Sequence, residues 1–181
     1  VSRRNLRLFF ALWPDAETRN ALSVIADETR MACGGRSPPA SNLHLTLAFL
    51  GNVATNRLPE LRALADTIIA GPFDLNLDRL GYWRAQRLAW AAPQHCPVQL
   101  AALVGQLTDA LRGHGFHTER RAFKPHVTLL RDVVTPPVLP SAAVVSLCWP
   151  VRQFVLVCSG PAAKGVSYRL IGQWPLNAAR L

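Results

Sequence analysis

No apolar run in this 181-residue chain approaches the roughly 20 residues that a membrane-spanning helix needs; the longest, such as "AALV" and "VVSLCW", are short. The opening "VSRRNLRLFFALWPD" sets basic residues before an apolar run, as a secretory leader does, but no small-residue cleavage site follows. That run alternates and stops at Pro14-Asp15, which reads as a first strand, so the expectation is a cytoplasmic protein with no membrane partner. Cysteine is sparse. Cys33, Cys96, Cys148 and Cys158 lie far apart with no CxxC pair, which argues against a zinc site or a dense disulfide framework and for reduced, partly buried thiols. Low-complexity segments and recognisable linkers are missing as well. Acidic residues are few: 11 Asp and Glu face 20 Lys and Arg, for a net charge of +9. Lysine is scarcer still, since only Lys124 and Lys164 are lysines. An arginine-rich surface suits phosphate-bearing partners, because the planar guanidinium pairs two phosphate oxygens at once. Genome composition produces the same bias, so charge alone does not decide the matter.

What is present is a globular composition, 50% hydrophobic, in a length that suits one domain or two small lobes sharing a core. Leu6 to Trp13 alternates as a strand. Asp15 then caps a helix running to about Met31. "CGGRSPPAS" is a loop, and Leu43 to Leu50 is a strand closed by Gly51-Asn52. Pro59 to Ala70 has helical spacing and ends at Gly71-Pro72. "FDLNLDRLGYW" and "RLAWAAP" read as two strands of a hairpin. Val98 to Arg112 is the clearest helix, with Leu100, Leu103, Val104, Leu107 and Leu111 on one stripe. "FHTERRAFK" is a basic connection, Pro125 to Arg131 a strand, and "TPPVLPS" a loop. "VRQFVLVCSG" and "SYRLIGQWPL" are two late strands. Strands and helices so mixed, with several hairpins, predict an α+β fold.

One pattern occurs twice. "SNLHLTLAFLG" contains His44-Leu45-Thr46-Leu47, and "KPHVTLLRD" contains His126-Val127-Thr128-Leu129, 82 positions later. With 9 Thr and 5 His in the chain, two such matches with apolar flanks arise by chance roughly 2 times in a thousand, counted against the template. Residues i and i+2 of a strand share a face, so each His stands beside its Thr. Strands lying side by side or face to face would bring two imidazoles and two hydroxyls onto one small group. Such a cage suits a phosphate: hydroxyls donate to nonbridging oxygens, one imidazole serves as general base and the other as general acid. Two His and no accompanying carboxylate or Cys cluster make a thin metal-ligand set, so no metal is expected. His114 and His117 sit in a glycine-rich connection, where they are either solvated or in touch with RNA.

These paired motifs resemble those of the two-histidine (2H) phosphoesterases. With "RLFFALWPD", "NLHLTLAFLG", "FKPHVTLLRD" and the closing "FVLVCSG...YRLIGQWPL" in the expected order, the chain is most similar to the bacterial RNA 2′,3′-cyclic phosphodiesterases, also called 2′-5′ RNA ligases. The resemblance implies one bilobal α+β domain over residues 1–181, with two pseudo-symmetric lobes, antiparallel sheets around a central cleft and helices outside; a monomer is the separate expectation, which the sequence itself does not address. The resemblance further implies hydrolysis of an RNA 2′,3′-cyclic phosphate end to a 2′-phosphomonoester without metal or other cofactor. Run backwards, the same groups would give 2′-5′ ligation. His44 and His126 would be the catalytic pair, Thr46 and Thr128 would bind phosphate, and Arg131 would contact phosphate too. Arg131 carries a difficulty: five residues after His126, a regular strand sends it to the opposite face, and only a bend or bulge returns it. The first copy has Phe49 in its place. Phe9 and Phe10 are candidate base-stacking residues, with core packing expected of at least one. Arg120, Arg121 and Lys124 either guide an RNA backbone or form a solvated loop. The rival readings are a phosphodiesterase of small cyclic nucleotides and a non-catalytic module that binds RNA ends.

Overall fold

The computed structural model describes residues 5–119, 121–136, 146–162 and 165–177. The strands are β1 (Asn5–Leu12), β2 (Leu45–Ala54), β3 (Phe73–Leu77), β4 (Arg79–Trp83), β5 (Leu88–Ala92), β6 (Val127–Leu130), β7 (Leu147–Val151), β8 (Gln153–Ala162) and β9 (Gly165–Pro175). The helices are α1 (Ala16–Cys33), α2 (Leu58–Asp66) and α3 (Val98–Gly113). Seven strands form one antiparallel sheet in the order β4-β5-β6-β2-β1-β8-β9, and β3 pairs with β7 separately.

The sheet has a joint at its centre. β2 and β6 pair through a single residue couple, Leu45 with Val127. One lobe holds β1, β2, β8 and β9 with α2 and α3; the other holds β4, β5 and β6, with α1 packed on β6 and β7. Each strand alternates, so the sheet has an inner and an outer face. Leu8, Phe10 and Leu12 of β1 enter the main core, while Phe9 and Ala11 face the other way. Burying each of the large inner residues stabilises the fold by roughly 1.5–3 kcal/mol. The main core runs beneath both lobes. The opposite face carries only a small cluster, Phe9, Ala11, Val155 and Val157 with Trp13, Phe49 and Tyr168 around it, and forms the cleft side.

Several expectations need correction. β2 does not close at Gly51-Asn52 but continues to Ala54, because Gly51 takes a φ of +69° at a register shift against β1. α2 ends at Asp66, short of Ala70, where Thr67, Ile68 and Ile69 place three β-branched residues in a row; the Thr67 hydroxyl donates to the Leu64 carbonyl and the Gln106 amide caps Ile69. "FDLNLDRLGYW" is two strands, separated at Asp78, which accepts from the Gln94 amide instead of joining a ladder. Only β4 makes the expected hairpin with β5. β3 pairs with β7, a strand the sequence reading did not assign. α1 is capped as expected, the Asp15 carboxylate accepting from Thr18 N–H at 2.8 Å. Among the described residues no helix is long and apolar enough to cross a membrane.

Candidate active site

The joint places the two motifs together. Leu45 and Val127 are directly opposed, and the same antiparallel register carried one residue either way sets His44 across from Thr128 and Thr46 across from His126. A local pseudo-twofold axis therefore passes between Leu45 and Val127. Both apolar residues are fully buried in the core, which turns the His and Thr of each strand to the cleft.

Arg131 reaches the same face by a bulge. On β5–β6, Trp90 pairs with Thr128 but Ala89 pairs with Leu130, so Leu129 is an extra residue. Leu129 and Leu130 are consequently both buried, and the alternation shifts by one, returning Arg131 to the phase of Thr128. The first motif is built alike. Ala11 pairs with Thr46 and Phe10 with Ala48, leaving Leu47 extra; Leu47 and Ala48 are both buried, and Phe49 occupies the place of Arg131. The two halves thus share their bulges and differ in what the bulge delivers. A two-bond backbone pair with Arg36, at 2.8 and 2.9 Å, anchors Arg131. Arg36 also grips the Asp132 carboxylate, and Arg87 donates to the Val133 carbonyl at 3.1 Å.

The imidazoles are held symmetrically. His44 Nδ1–H donates to the Asn42 carbonyl at 2.6 Å, and His126 Nδ1–H to the Lys124 carbonyl at 2.8 Å. A carbonyl can only accept, so both rings keep their proton on Nδ1 when neutral, leaving Nε2 as the exchangeable position. Burial pushes both pKa values below the usual 6.5, against the backbone hydrogen bonds, and the nearby Arg131 charge lowers both further. His44 also feels His126, whereas Glu119 acts to raise His126.

Both His values lie below 6.5 in the folded protein, so just under that pH the unfolded chain binds more protons. Their contribution to stability is complete above pH 6.5 and is lost as pH falls through the folded values. The thermal midpoint is expected to drop between about pH 7 and about pH 5, and replacing both histidines with glutamine should flatten that slope. The carboxylates held low by partners, Asp15, Glu60 and Asp132, start from 3.8 to 4.5 and act below this window. An equal slope in the double variant would contradict the assignment.

Aromatic side chains enclose the pair, and sequence reading missed most of them. Trp13 stacks on His44 at 5.4 Å and 14° between planes. Phe9 lies 5.0 Å from His44, and the Tyr168 edge 5.2 Å. Trp83 meets His126 edge-on at 4.5 Å, with Trp90 beside Trp83 at 5.5 Å. Trp90 lies across Gly81, where any Cβ would sit 2.0 Å from the indole, so that position requires glycine. The signal for Trp13 was its phase: it shares a face with Phe9 and Ala11.

Other expected site residues divide. Phe10 is corrected: it is fully buried in the main core against Phe154 and Trp174 and cannot meet a base. Phe9 is on the cleft side but only 3% exposed, packed under His44 and not open to stacking. Arg121 and Lys124 are exposed on the segment leading into His126; Arg120 lies outside the described residues. Among the described residues no three His, Cys, Asp or Glu side chains cluster as a metal would require.

Comparison with known proteins bears on this geometry. The model of the LigT-like phosphoesterases matches the chain twice, over residues 12–90 and 91–168, once for each copy of the motif. An RNA 2′,3′-cyclic phosphodiesterase of Escherichia coli (strain K12) is 34% identical over 171 residues, 94% of this chain and 97% of that protein. Another, of Thermus thermophilus, is 31% identical over 95% of this chain and 91% of that protein. The crystal structure of E. coli LigT complexed with 3′-AMP superposes with a TM-score of 0.86 at 33% identity, covering 96% of this chain and 99% of that one. The T. thermophilus protein TT0787 does so with a TM-score of 0.80 at 28% identity, over 96% and 99%.

Proposed function

Since the chain belongs to the LigT-like phosphoesterase family, a two-histidine family, we propose that it hydrolyses RNA 2′,3′-cyclic phosphate ends to 2′-phosphomonoesters through His44 and His126. The observation that carries this reading is the matched pair of imidazoles, each with Nδ1 tied to a main-chain carbonyl and Nε2 left for proton transfer. The Thr46 and Thr128 hydroxyls donate to the nonbridging oxygens of the cyclic phosphate, and the Arg131 guanidinium balances their charge. Water attacks phosphorus in line with the P–O3′ bond. One imidazole takes the water proton at Nε2, and the other, protonated, gives its Nε2 proton to O3′ as that bond breaks. The base ends protonated and the acid neutral, and one proton exchange with solvent resets the pair. A 5′-hydroxyl attacking phosphorus in place of water, with its proton taken by the base and the P–O3′ bond again broken, joins the two ends through a 2′-5′ linkage. The chain is read as a single bilobal domain acting as a monomer in the cytoplasm.

The lowered pKa values favour neutral imidazoles, so the kcat/KM profile should be bell-shaped with its centre below pH 6.5. The testing experiment compares an oligoribonucleotide ending in a 2′,3′-cyclic phosphate with the corresponding mononucleotide, each with and without EDTA. The reading expects both to be opened, the oligonucleotide with the lower KM, and EDTA to change neither rate. A loss on EDTA restored by a divalent cation would contradict metal-independent catalysis, and a mononucleotide preference would favour small cyclic nucleotides as substrates. Binding without turnover would leave an RNA-end binding module.

A further inference from the structure

The 82-residue offset that relates the two motifs matches Asn42 with Lys124. Both supply a carbonyl to their histidine. Of these two, only Asn42 also uses its side chain among the described residues: Nδ2 donates to the Val166 carbonyl at 2.9 Å, 124 residues away in sequence. Val166 stands at the start of β9, two residues before Tyr168. The Tyr168 ring meets His44 at 5.2 Å, Phe9 at 5.2 Å and Trp13 at 6.2 Å. The contacts therefore close a circuit: His44 to the Asn42 carbonyl, the Asn42 amide to β9, β9 to Tyr168, and Tyr168 back to His44.

The surrounding backbone gives the circuit its leverage. Asn42 ends a short 3-10 turn, its N–H donating to the Pro39 carbonyl at 2.8 Å, so its own carbonyl is well placed. β9 is an edge strand, paired among the described residues only with β8; Arg62 and Asp66 of α2 hold its far part at Ile171 and Trp174, while near Tyr168 the Ser167 hydroxyl, donating to the Gly160 carbonyl at 3.3 Å, ties it along the same hairpin. The Asn42 amide is a tie from outside that hairpin. Among the described residues His126 has no such enclosure, with Trp83 on one side of its ring.

We propose that Asn42 is a positioning residue, whose side-chain amide clasps the β8–β9 hairpin to the turn before the first motif and thereby holds Tyr168 and the His44 ring in register with the scissile phosphate. The proposal rests on the phosphodiesterase reading for its effect on rate, not for its geometry. The chemistry asks for an amide. Alanine offers no donor, and aspartate, nearly the same shape, presents carboxylate oxygens to a carbonyl that needs a hydrogen.

The test uses the full chain with Asn42→Ala, Asn42→Asp, Tyr168→Leu and the Ala/Leu double variant. Small misplacement of an acid or base is costly, so each Asn42 variant is expected to lower kcat roughly 10- to 100-fold with a smaller change in KM. The double variant should fall no more than about twofold below the worse single, because both act through one circuit. A second readout needs no turnover: the ring proton signals of His44 and His126 are titrated by NMR without substrate. The groups facing His44 are Arg131 and His126 across the joint, Tyr168 on β9, and the Trp13 and Phe9 rings; all remain in Asn42→Ala, and the titration is read in that variant because Asn42→Asp adds a charge of its own. Burial is the main cause of the lowered His44 value, so release of Tyr168 in Asn42→Ala should expose the ring and move its midpoint up toward 6.5, while the Asn42 carbonyl, a backbone atom, is still present and His126 stays. Wild-type kcat in Asn42→Asp, additive losses in the double variant, or an unmoved His44 titration would each overturn the proposal. Should Asn42→Ala fail to fold, Asn42→Leu, uncharged and close in size, carries the same test, since the carboxylate of Asn42→Asp would raise the His44 midpoint by its charge alone. A wild-type protein without phosphodiesterase activity would refute the functional reading alone, since the titration still decides the clasp.

Discussion

Alanine at His126 is expected to lower kcat/KM on a cyclic-phosphate RNA by about 10²–10⁴-fold, the usual worth of one positioned acid or base, and alanine at His44 by a similar factor. In the proposed mechanism the two imidazoles serve one in-line displacement, so the double variant should fall only a few fold below the worse single. His44→Ala also empties space among Phe9, Trp13 and Tyr168, and His44→Gln, which keeps the volume, separates lost chemistry from lost packing. Roles follow from a substrate with a p-nitrophenolate leaving group, which departs without protonation. The variant lacking the acid is rescued by it, and the variant lacking the base is not. Near wild-type turnover in either single variant would remove that histidine from the reaction.

The second large effect belongs to Arg131. The bulge at Leu129 turns it to the face of both histidines, and in the proposed mechanism it meets the negative charge that grows as water adds to phosphorus. Removing one such donor from an enzyme site typically costs about 10²–10³ in kcat. Arg131→Ala is expected to show that loss chiefly in kcat, measured in single turnover. Arg131→Lys should recover only part, because an ammonium cannot bridge two oxygens. The fold should survive, since Arg131 is tied to Arg36 through backbone atoms that any residue supplies. A change of less than about threefold in Arg131→Ala would place the residue outside the reaction.

Arg131 also shows where sequence reading stops. The paired motifs, their strands and the shared face of each His and Thr were legible, because a two-residue period needs no partner to be read. The bulges at Leu47 and Leu129 were not, because a bulge is a mismatch in count between two paired strands, and a single strand's sequence does not contain its partner's register. Simple alternation put Arg131 on the wrong face for that reason. Phe10 and Phe9 illustrate the reverse case: adjacent residues in β1 must point apart, and the structure assigns the core to one and the support of His44 to the other. β7 went unassigned because its fourth residue is Pro150, which suits an edge position and weakens a strand pattern. Trp13, Trp83 and Tyr168 read as ordinary strand aromatics, since nothing local distinguishes an aromatic that walls a cleft from one that fills a core.

The most direct measurement is the product formed from an RNA with a 2′,3′-cyclic phosphate end in ¹⁸O-labelled water. In-line attack aided by paired histidines predicts a 2′-phosphomonoester carrying one ¹⁸O on phosphorus. A 3′-phosphate, or a product without the label, would contradict it.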